Sequence, residues 1–169
     1  LHVIRKRPLP KIADPKAAIR AVLDRPTGAA PLKTLAAGKD SACILICDIT
    51  RPVPNHLFLR PMIEDLMAAG IPASGITVLI ATGLHRPNLG AELEELVGDP
   101  WVTKTVKVVN HDARNDAGHV DFGFTSKRRT PVKLDRAFVE AGLRIATGLV
   151  EPHFMAGWSG GRKVVAPGV

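Results

Sequence analysis

Six histidines, two cysteines and a scatter of arginines are the groups in this chain best able to do chemistry, and their neighbours separate them. Gly83-Leu84-His85-Arg86-Pro87 offers an imidazole on a strand-to-helix turn, where it can act as acid or base, and the proline keeps that turn from becoming helix. Glu151-Pro152-His153 leads into Ala156-Gly157-Trp158-Ser159-Gly160-Gly161-Arg162-Lys163. Its glycines permit close backbone approach, and free N–H groups beside an Arg and a Lys make a cradle for an anion. The spacing is not that of a Walker loop, since three residues separate Gly157 from Gly161 and Arg-Lys stands where Lys-Ser/Thr would be. Asp48-Ile49-Thr50-Arg51-Pro52 sets a carboxylate, a hydroxyl and a guanidinium together; the Arg fork suits a carboxylate or phosphate, and Asp48 can orient it or a hydroxyl. Each segment also has an ordinary structural reading, as a packing histidine, a glycine turn or an Asp–Arg pair. For Asn110-His111-Asp112-Ala113-Arg114 the structural reading is favoured, because Asn, Asp and Arg after a strand are what a turn demands. His2, His56 and His119 have no supporting neighbours.

The elements that position these groups follow from hydrophobic pattern. Strands are expected at Cys43 to Cys47, Ile76 to Ala81, Val106 to Val109 and Leu143 to Thr147, with helical stretches between them. Asp14-Pro15 reads as an N-cap and first helical residue, with Ala18, Ile19, Val22 and Leu23 as an apolar stripe. A helix from Pro54 to Ala69, bent at Pro61 and stopped by Gly70, joins the first two strands. Asn88 is expected to cap a helix ending at Val97 before Gly98. Short strands at Val120 to Phe124 and Val132 to Leu134 make a hairpin, and Asp135 caps a brief helix. The fold class is α/β: an open, mainly parallel, Rossmann-like sheet flanked by helices, with a small β excursion near 119–134. In such a sheet the ligand crevice lies beyond the carboxyl ends of the strands, so the four polar clusters converge there.

Composition narrows the function. Hydrophobic residues make up 46% and charged residues 23% of the chain, an ordinary globular balance with enough length for one domain. The apolar runs fall short of a membrane span and the amino terminus lacks the apolar core of a signal peptide, so a cytoplasmic protein without membrane association is expected. Cys43 and Cys47 lie on one face of the first strand and read as core thiols. The net charge of +7 is scattered over Arg5-Lys6-Arg7, Lys127-Arg128-Arg129 and Arg162-Lys163, which suits small anionic ligands. With no tyrosine and 4% aromatics there are few platforms for stacking bases, against nucleic-acid binding.

Taken together and in order, DITRPVPN (48–55), ATGLHRP (81–87), VNHDARN (109–115) and GLVEPHFMAGWSGGRKVVAPG (148–168) closely resemble the lactate racemase family that uses a nickel-pincer nucleotide. The resemblance implies an isomerase that racemises or epimerises 2-hydroxyacids by proton-coupled hydride transfer. It implies that the cofactor, a nicotinic-acid-derived mononucleotide with nickel held by sulfur-bearing arms, is attached at Lys163 beside the loop of Gly157, Ser159, Gly160 and Gly161. It makes His85 and His153 the acid/base pair and places Asp48, Thr50 and Arg51 at the cofactor, while Arg51 and Arg86 are candidates for holding the substrate. The family's further metal-ligating histidine lies some way past the lysine, and between Lys163 and Val169 there is none, so that ligand is expected beyond Val169. The expectation is therefore a single cofactor-binding and catalytic domain, 1–169, apparently truncated before a carboxy-terminal domain, with no metal ligand of its own and inactive alone. Two other readings stay open: a nickel-independent α/β enzyme using His85 and His153 on a nucleotide or sugar acid, and a non-catalytic anion-binding domain.

Overall fold

Four apolar runs form one parallel sheet in the computed structural model, which describes residues 2–3 and 8–169. The strands are β1 (Ala42–Cys47), β2 (Ile76–Ala81), β3 (Lys107–Asn110) and β6 (Leu143–Ala146), in the order β3-β2-β1-β6. Registers run without a shift from Ala42 against Ile76 to Cys47 against Ala81, and from Ala42 against Leu143 to Leu45 against Ala146. The connections put β2 on one side of β1 and β6 on the other, so the strand order reverses at β1, where an open α/β sheet leaves a crevice. The basic Arg5-Lys6-Arg7 cluster lies outside the described residues.

The sheet is covered on both faces, which is why β1 is apolar at every position rather than at alternate ones. Ile44 and Ile46, with Val78 and Ile80 of β2, face α3 (Asn55–Ala68) through Leu59, Met62, Ile63 and Leu66. Cys43 and Leu45, with Leu79, face α6 (Arg136–Val139) and α7 (Arg162–Val165) through Phe138 and Val164. Val169 joins this second cluster: it is buried, and its amide donates to the Val165 carbonyl at 3.1 Å. The two thiols share the second face, as the alternation requires; burial pushes the Cys43 thiol up to about 12, which keeps it an inert core group. Complete burial of an Ile or Leu side chain stabilises by about 1.5–3 kcal/mol, and Ile44, Leu45, Ile46, Leu59, Ile63 and Leu66 are all fully buried.

Helix punctuation follows local chemistry, with some departures. α1 (Pro15–Asp24) starts at Asp14, whose carboxylate accepts from the Ala17 amide. Its expected stripe is only partly used: Leu23 packs on the core, whereas Val22 is exposed. A salt bridge performs much of the docking, since Arg20 grips the buried Asp65 of α3 with two N–H groups. α3 runs through Pro61 and closes at Gly70 (φ 104), where the Ile71 amide reaches back to the Leu66 carbonyl. The helix after β2 does not begin at Asn88: α4 (Ala91–Val97) follows Gly90, and Asn88 is occupied with cross-links between loops. Gly98, left-handed at φ 69, ends it as expected. Unexpected is α5 (Pro100–Thr105), capped by Asp99, so that Val106 closes a helix instead of opening a strand. α2 (Leu32–Ala36) and the short antiparallel pair β7 (Pro152–His153) and β8 (Gly157–Trp158) were also not expected. The excursion is a hairpin of β4 (His119–Phe124) and β5 (Pro131–Asp135), carrying Lys127, Arg128 and Arg129 at its tip, and Asp135 caps α6 through the Ala137 amide.

Candidate active site

The loops after β1, β2 and β6 meet over a cavity of about 370 Å³ lined by Asp48, Thr50, Arg51, His85, His153 and Lys163, among others. Residues as far apart in sequence as Asp48 and Lys163 are thus brought together at the carboxyl edge of the sheet.

Asp48, 4% exposed, is the hub. Its Oδ1 accepts from the Thr50 amide at 3.0 Å and from the Thr50 hydroxyl, and its Oδ2 lies 2.5 Å from His85 Nδ1. Arg51 Nη1 donates to Thr50 Oγ1 at 3.0 Å. Burial pushes the Asp48 carboxyl up, but the bonds from Thr50 and His85 outweigh it and leave the group below its ordinary value. A carboxylate facing Nδ1 makes that nitrogen the donor, so the neutral His85 ring presents Nε2 as a lone-pair acceptor. The turn that carries His85 is closed by its amide donating to the Thr82 carbonyl at 2.9 Å. Gly83, at φ 54, donates its N–H to the Gly168 carbonyl, and a Cβ there would meet the Pro167 carbonyl at 3.3 Å.

The second histidine is held otherwise. His153 Nδ1 accepts from the amides of Met155 (3.2 Å) and Ala156 (3.1 Å), which puts the proton of the neutral ring on Nε2. Ser159 ties this segment down, donating to the Leu149 carbonyl at 2.7 Å and accepting from the Glu151 amide at 3.1 Å. At Gly160 (φ 71) a Cβ would stand 2.7 Å from the Leu149 carbonyl, so only glycine allows that approach. It delivers the chain into α7, where half-buried Lys163 faces the cavity and makes no ion pair among the described residues.

Of the residues singled out from sequence, Asp48, Thr50, Arg51, His85, His153, Ser159, Gly160 and Lys163 line this cavity, and Gly157, Gly161 and Arg86 do not. Gly157 sits exposed in β8, and Gly161 precedes α7. Arg86 is gripped by Glu92 at 2.5 and 2.7 Å and lines a neighbouring cavity; its guanidinium and Asn88 hold the Glu92 carboxyl down to about 2. Val169, which entered the sequence reading only as the position beyond which a metal ligand is expected, is not a site residue either. Its side chain is 5% exposed, packs in the core with Cys43 and Leu45, and does not line the cavity, because an apolar side chain at that place gains more from burial than from facing a polar crevice. Cys47, Leu149, Val164, Pro167 and Gly168 do line the site. Cys47, expected as a core thiol, is only half-buried because it ends β1 at the crevice; the types of the other four carry no chemical signal, and only the fold brings them there. Asn88 and Asn110 cross-link the β2 and β3 loops, Asn88 N–H to Asn110 Oδ1 at 2.8 Å and Asn110 Nδ2 to the Asn88 carbonyl at 3.0 Å. Their polar type at strand ends was the available sign. His111 is buried and pairs with Asp135 at 3.0 Å.

Comparison with known proteins shows the family and the fold. The model of the lactate racemase N-terminal domain matches residues 1–169. The lactate racemase of Thermoanaerobacterium thermosaccharolyticum is 36% identical over 151 residues, covering 89% of this chain and 35% of that protein. The lactate racemase of Lactiplantibacillus plantarum is 37% identical over 147 residues, covering 87% of this chain and 34% of the relative. The chain thus spans about a third of the length of these relatives. The structure of the T. thermosaccharolyticum lactate racemase apoprotein superposes with a TM-score of 0.83 at 33% identity, over 92% of this chain and 36% of that one. A crystal structure of a Thermotoga maritima protein shares the fold with a TM-score of 0.68 at 21% identity, over 92% of this chain and 37% of that one.

Proposed function

Because the chain belongs to the lactate racemase N-terminal domain family, we propose that it supplies the acid/base histidines and the cofactor-attachment lysine of a 2-hydroxyacid racemase or epimerase. The observation that carries this reading is the shared cavity: a carboxylate-oriented His85, a second imidazole at His153 and the Lys163 amine open onto the same space. Inversion at one carbon needs a proton-transferring group for each enantiomer, and two imidazoles supply it.

The residues present fit a nickel-pincer nucleotide in its organic part. Lys163 offers a primary amine for covalent attachment, and Arg51 beside Gly160 and Ser159 offers charge and close backbone approach to an anionic group. Among the described residues no group of three His, Cys, Asp or Glu side chains is placed to hold a metal ion. The remaining nickel ligand, expected beyond Val169, and the closure of the site belong in this reading to the two thirds of the relatives' length that this chain does not span. When bound, such a cofactor supplies a reversible two-electron acceptor for the substrate carbon.

The protein's own part is proton handling and orientation. His85 Nε2 takes the proton of the C2 hydroxyl, and the charge that develops on the ring is stabilised by Asp48, itself held by Thr50, whose hydroxyl in turn accepts from Arg51. In this reading Arg51, which lines the cavity, holds the substrate carboxylate in two-point fashion. His153, as it lies here, donates a hydrogen bond from Nε2. To carry a proton through a full transfer, its Nδ1 must be released from the amides of Met155 and Ala156.

The test is the full-length protein produced with its cofactor-synthesis machinery. A mass adduct on Lys163 and interconversion of the enantiomers of a 2-hydroxyacid are expected, with both lost in Lys163→Ala. An unmodified Lys163 together with full activity would overturn the reading. The 169-residue chain alone is expected to leave a single lactate enantiomer unchanged.

A further inference from the structure

The loop that carries His85 has almost no apolar hold on the rest of the molecule. From Leu84 to Gly90 only Asn88 is buried, while Leu84 and Leu89 are 75% and 64% exposed. The His85 side chain is itself 57% exposed, so packing does not fix the ring, and its place depends on Asp48 Oδ2 at 2.5 Å and on the backbone behind it. Gly83 and Gly90, both at positive φ, stand at the two ends of this stretch, and polar bonds must hold what lies between.

Three of those bonds end on one carboxylate. Glu92 Oε2 accepts from Arg86 Nη1 at 2.5 Å and from Asn88 Nδ2 at 2.9 Å, and Oε1 accepts from Arg86 Nη2 at 2.7 Å. Arg86 follows His85 directly. Asn88 turns its Oδ1 to the amide of Ile49, the residue after Asp48, at 3.3 Å. The ionised carboxylate only accepts and the Ile49 amide only donates, so Glu92 dictates which end of the Asn88 side chain faces the loop of Asp48. Glu92 itself stands on a fixed base: α4 buries Leu96 and Val97, and the Leu96 carbonyl accepts from Asn55 Nδ2 of α3 at 2.8 Å.

Both members of the Asp48–His85 pair are thus tied to the same point of α4, His85 through Arg86 and Asp48 through Asn88. Glu92 lines neither the main cavity nor the one beside it, and it occupies both prongs of the Arg86 fork. A substrate carboxylate held by Arg86 would have to take the place of one already there. We infer that Glu92 is a positioning residue for the proposed reaction: through Arg86 and Asn88 it holds the His85 imidazole against Asp48, and Arg86 serves this brace instead of gripping substrate. This rests on the racemase reading above for the role of His85 in proton transfer, whereas the brace itself does not.

The experiment uses the full-length, cofactor-loaded protein and two variants. Glu92→Gln keeps the shape and removes the charge opposite Arg86, and Arg86→Met removes the fork at an exposed position where no core contact is lost. Interconversion of the lactate enantiomers gives kcat and KM. Proton NMR of histidine-labelled protein follows the Nδ1–H of His85, which a short bond to a carboxylate shifts far downfield and which is assigned by its loss in Asp48→Asn. In both variants kcat is expected to fall about tenfold or more with KM little changed, as misplaced reacting groups require. The resonance is expected to broaden or vanish with it. A kcat unmoved in either variant overturns the brace, and with a raised KM in Arg86→Met it makes that residue a substrate clamp. A resonance that persists in either variant, or is absent from the wild type, overturns it too. If the wild type turns over no 2-hydroxyacid, the racemase reading fails. The brace then stands if the wild-type resonance is lost in both variants, and it falls if the resonance persists.

Discussion

The two histidines that face the main cavity are secured in opposite ways. His85 leans on a buried carboxylate, and its loop is stitched to its neighbours: Asn88 Oδ1 accepts from the Ile49 amide, Asn110 brackets the Asn88 backbone, and Asn88 Nδ2 donates to Glu92, which grips Arg86. His153 leans on two amides of its own turn, in a two-residue antiparallel pair whose Phe154, Met155 and Trp158 side chains stand in solvent. The contrast teaches that the β1–β2 side of the site is braced within this chain by side chains of three loops. The β7–β8 side is folded but exposed, and in the proposed reaction its histidine must change its hydrogen bonding before it transfers a proton.

The largest effect that would break this comparison is on the braced side. Asp48→Asn in the full-length enzyme keeps the shape and removes the charge opposite His85; kcat is expected to fall by about 10²–10⁴. A loss below tenfold would mean that the pair is structural only. The same carboxylate gives a pH signature. Its value in the folded chain is depressed, so the stability it contributes is fully present above the ordinary 3.8 and is lost as pH falls through the lowered value. Acid unfolding followed by circular dichroism should therefore show a shallower decline below pH ~4 in Asp48→Asn than in the wild type.

Next comes the stitching itself. Asn88→Ala leaves the Ile49 amide without its acceptor and removes the donor to Glu92, while Asn110 keeps its bonds to the residue-88 backbone, at a cost of about 1–3 kcal/mol in denaturant unfolding. It also frees the His85 loop, so kcat should fall while KM moves less. Unchanged stability with unchanged kcat would show that the brace is ornamental. On the other side, Gly160→Ala places a methyl group 2.7 Å from the Leu149 carbonyl at a φ of 71, and about 1–3 kcal/mol is expected from the same unfolding measurement.

The same division marks what could be read from the sequence. The β1–β2 side was legible because its signals are local: a run of apolar residues buried on both faces, then Asp48, Thr50 and Arg51, then His85 before a proline. Parallel-sheet topology turns those sequence neighbours into spatial ones. The β6–α7 side was legible only as a list. His153, Ser159, Gly160 and Lys163 were named, but the β7–β8 pair that carries His153 has two-residue strands without alternation, so no periodic signal existed. Gly157 and Gly161 looked equivalent to Gly160 by type, and only the carbonyl of Leu149 distinguishes them. The core role of Val169 was hidden for the same reason, since it depends on α7 turning the chain back under β1 and not on any local pattern. The Asn88 cap failed because α4 starts only after Gly90, and Asn88 Oδ1 accepts from the Ile49 amide of another loop instead of from a helix amide. α5 was missed even though Asp99-Pro100 repeats the signal of Asp14-Pro15. There the apolar Val106, Val108 and Val109 favoured a longer strand, and the cap won.

The smallest effect belongs to the exposed side and sharpens the comparison most. Phe154 is fully exposed, so Phe154→Ser removes no buried contact of this chain, and the unfolding free energy of the 169-residue chain is expected to stay within ~0.5 kcal/mol of the wild type. If the hairpin is covered by the rest of a longer protein, the same substitution in the full-length enzyme removes a buried aromatic and should cost about 2 kcal/mol or more, with a loss of activity that follows His153 rather than His85. The two measurements differ only in what lies over β7 and β8. Equal, negligible effects in both would mean that the apolar rim stays in solvent, and that His153 must change its hydrogen bonding by some route other than closure of the site.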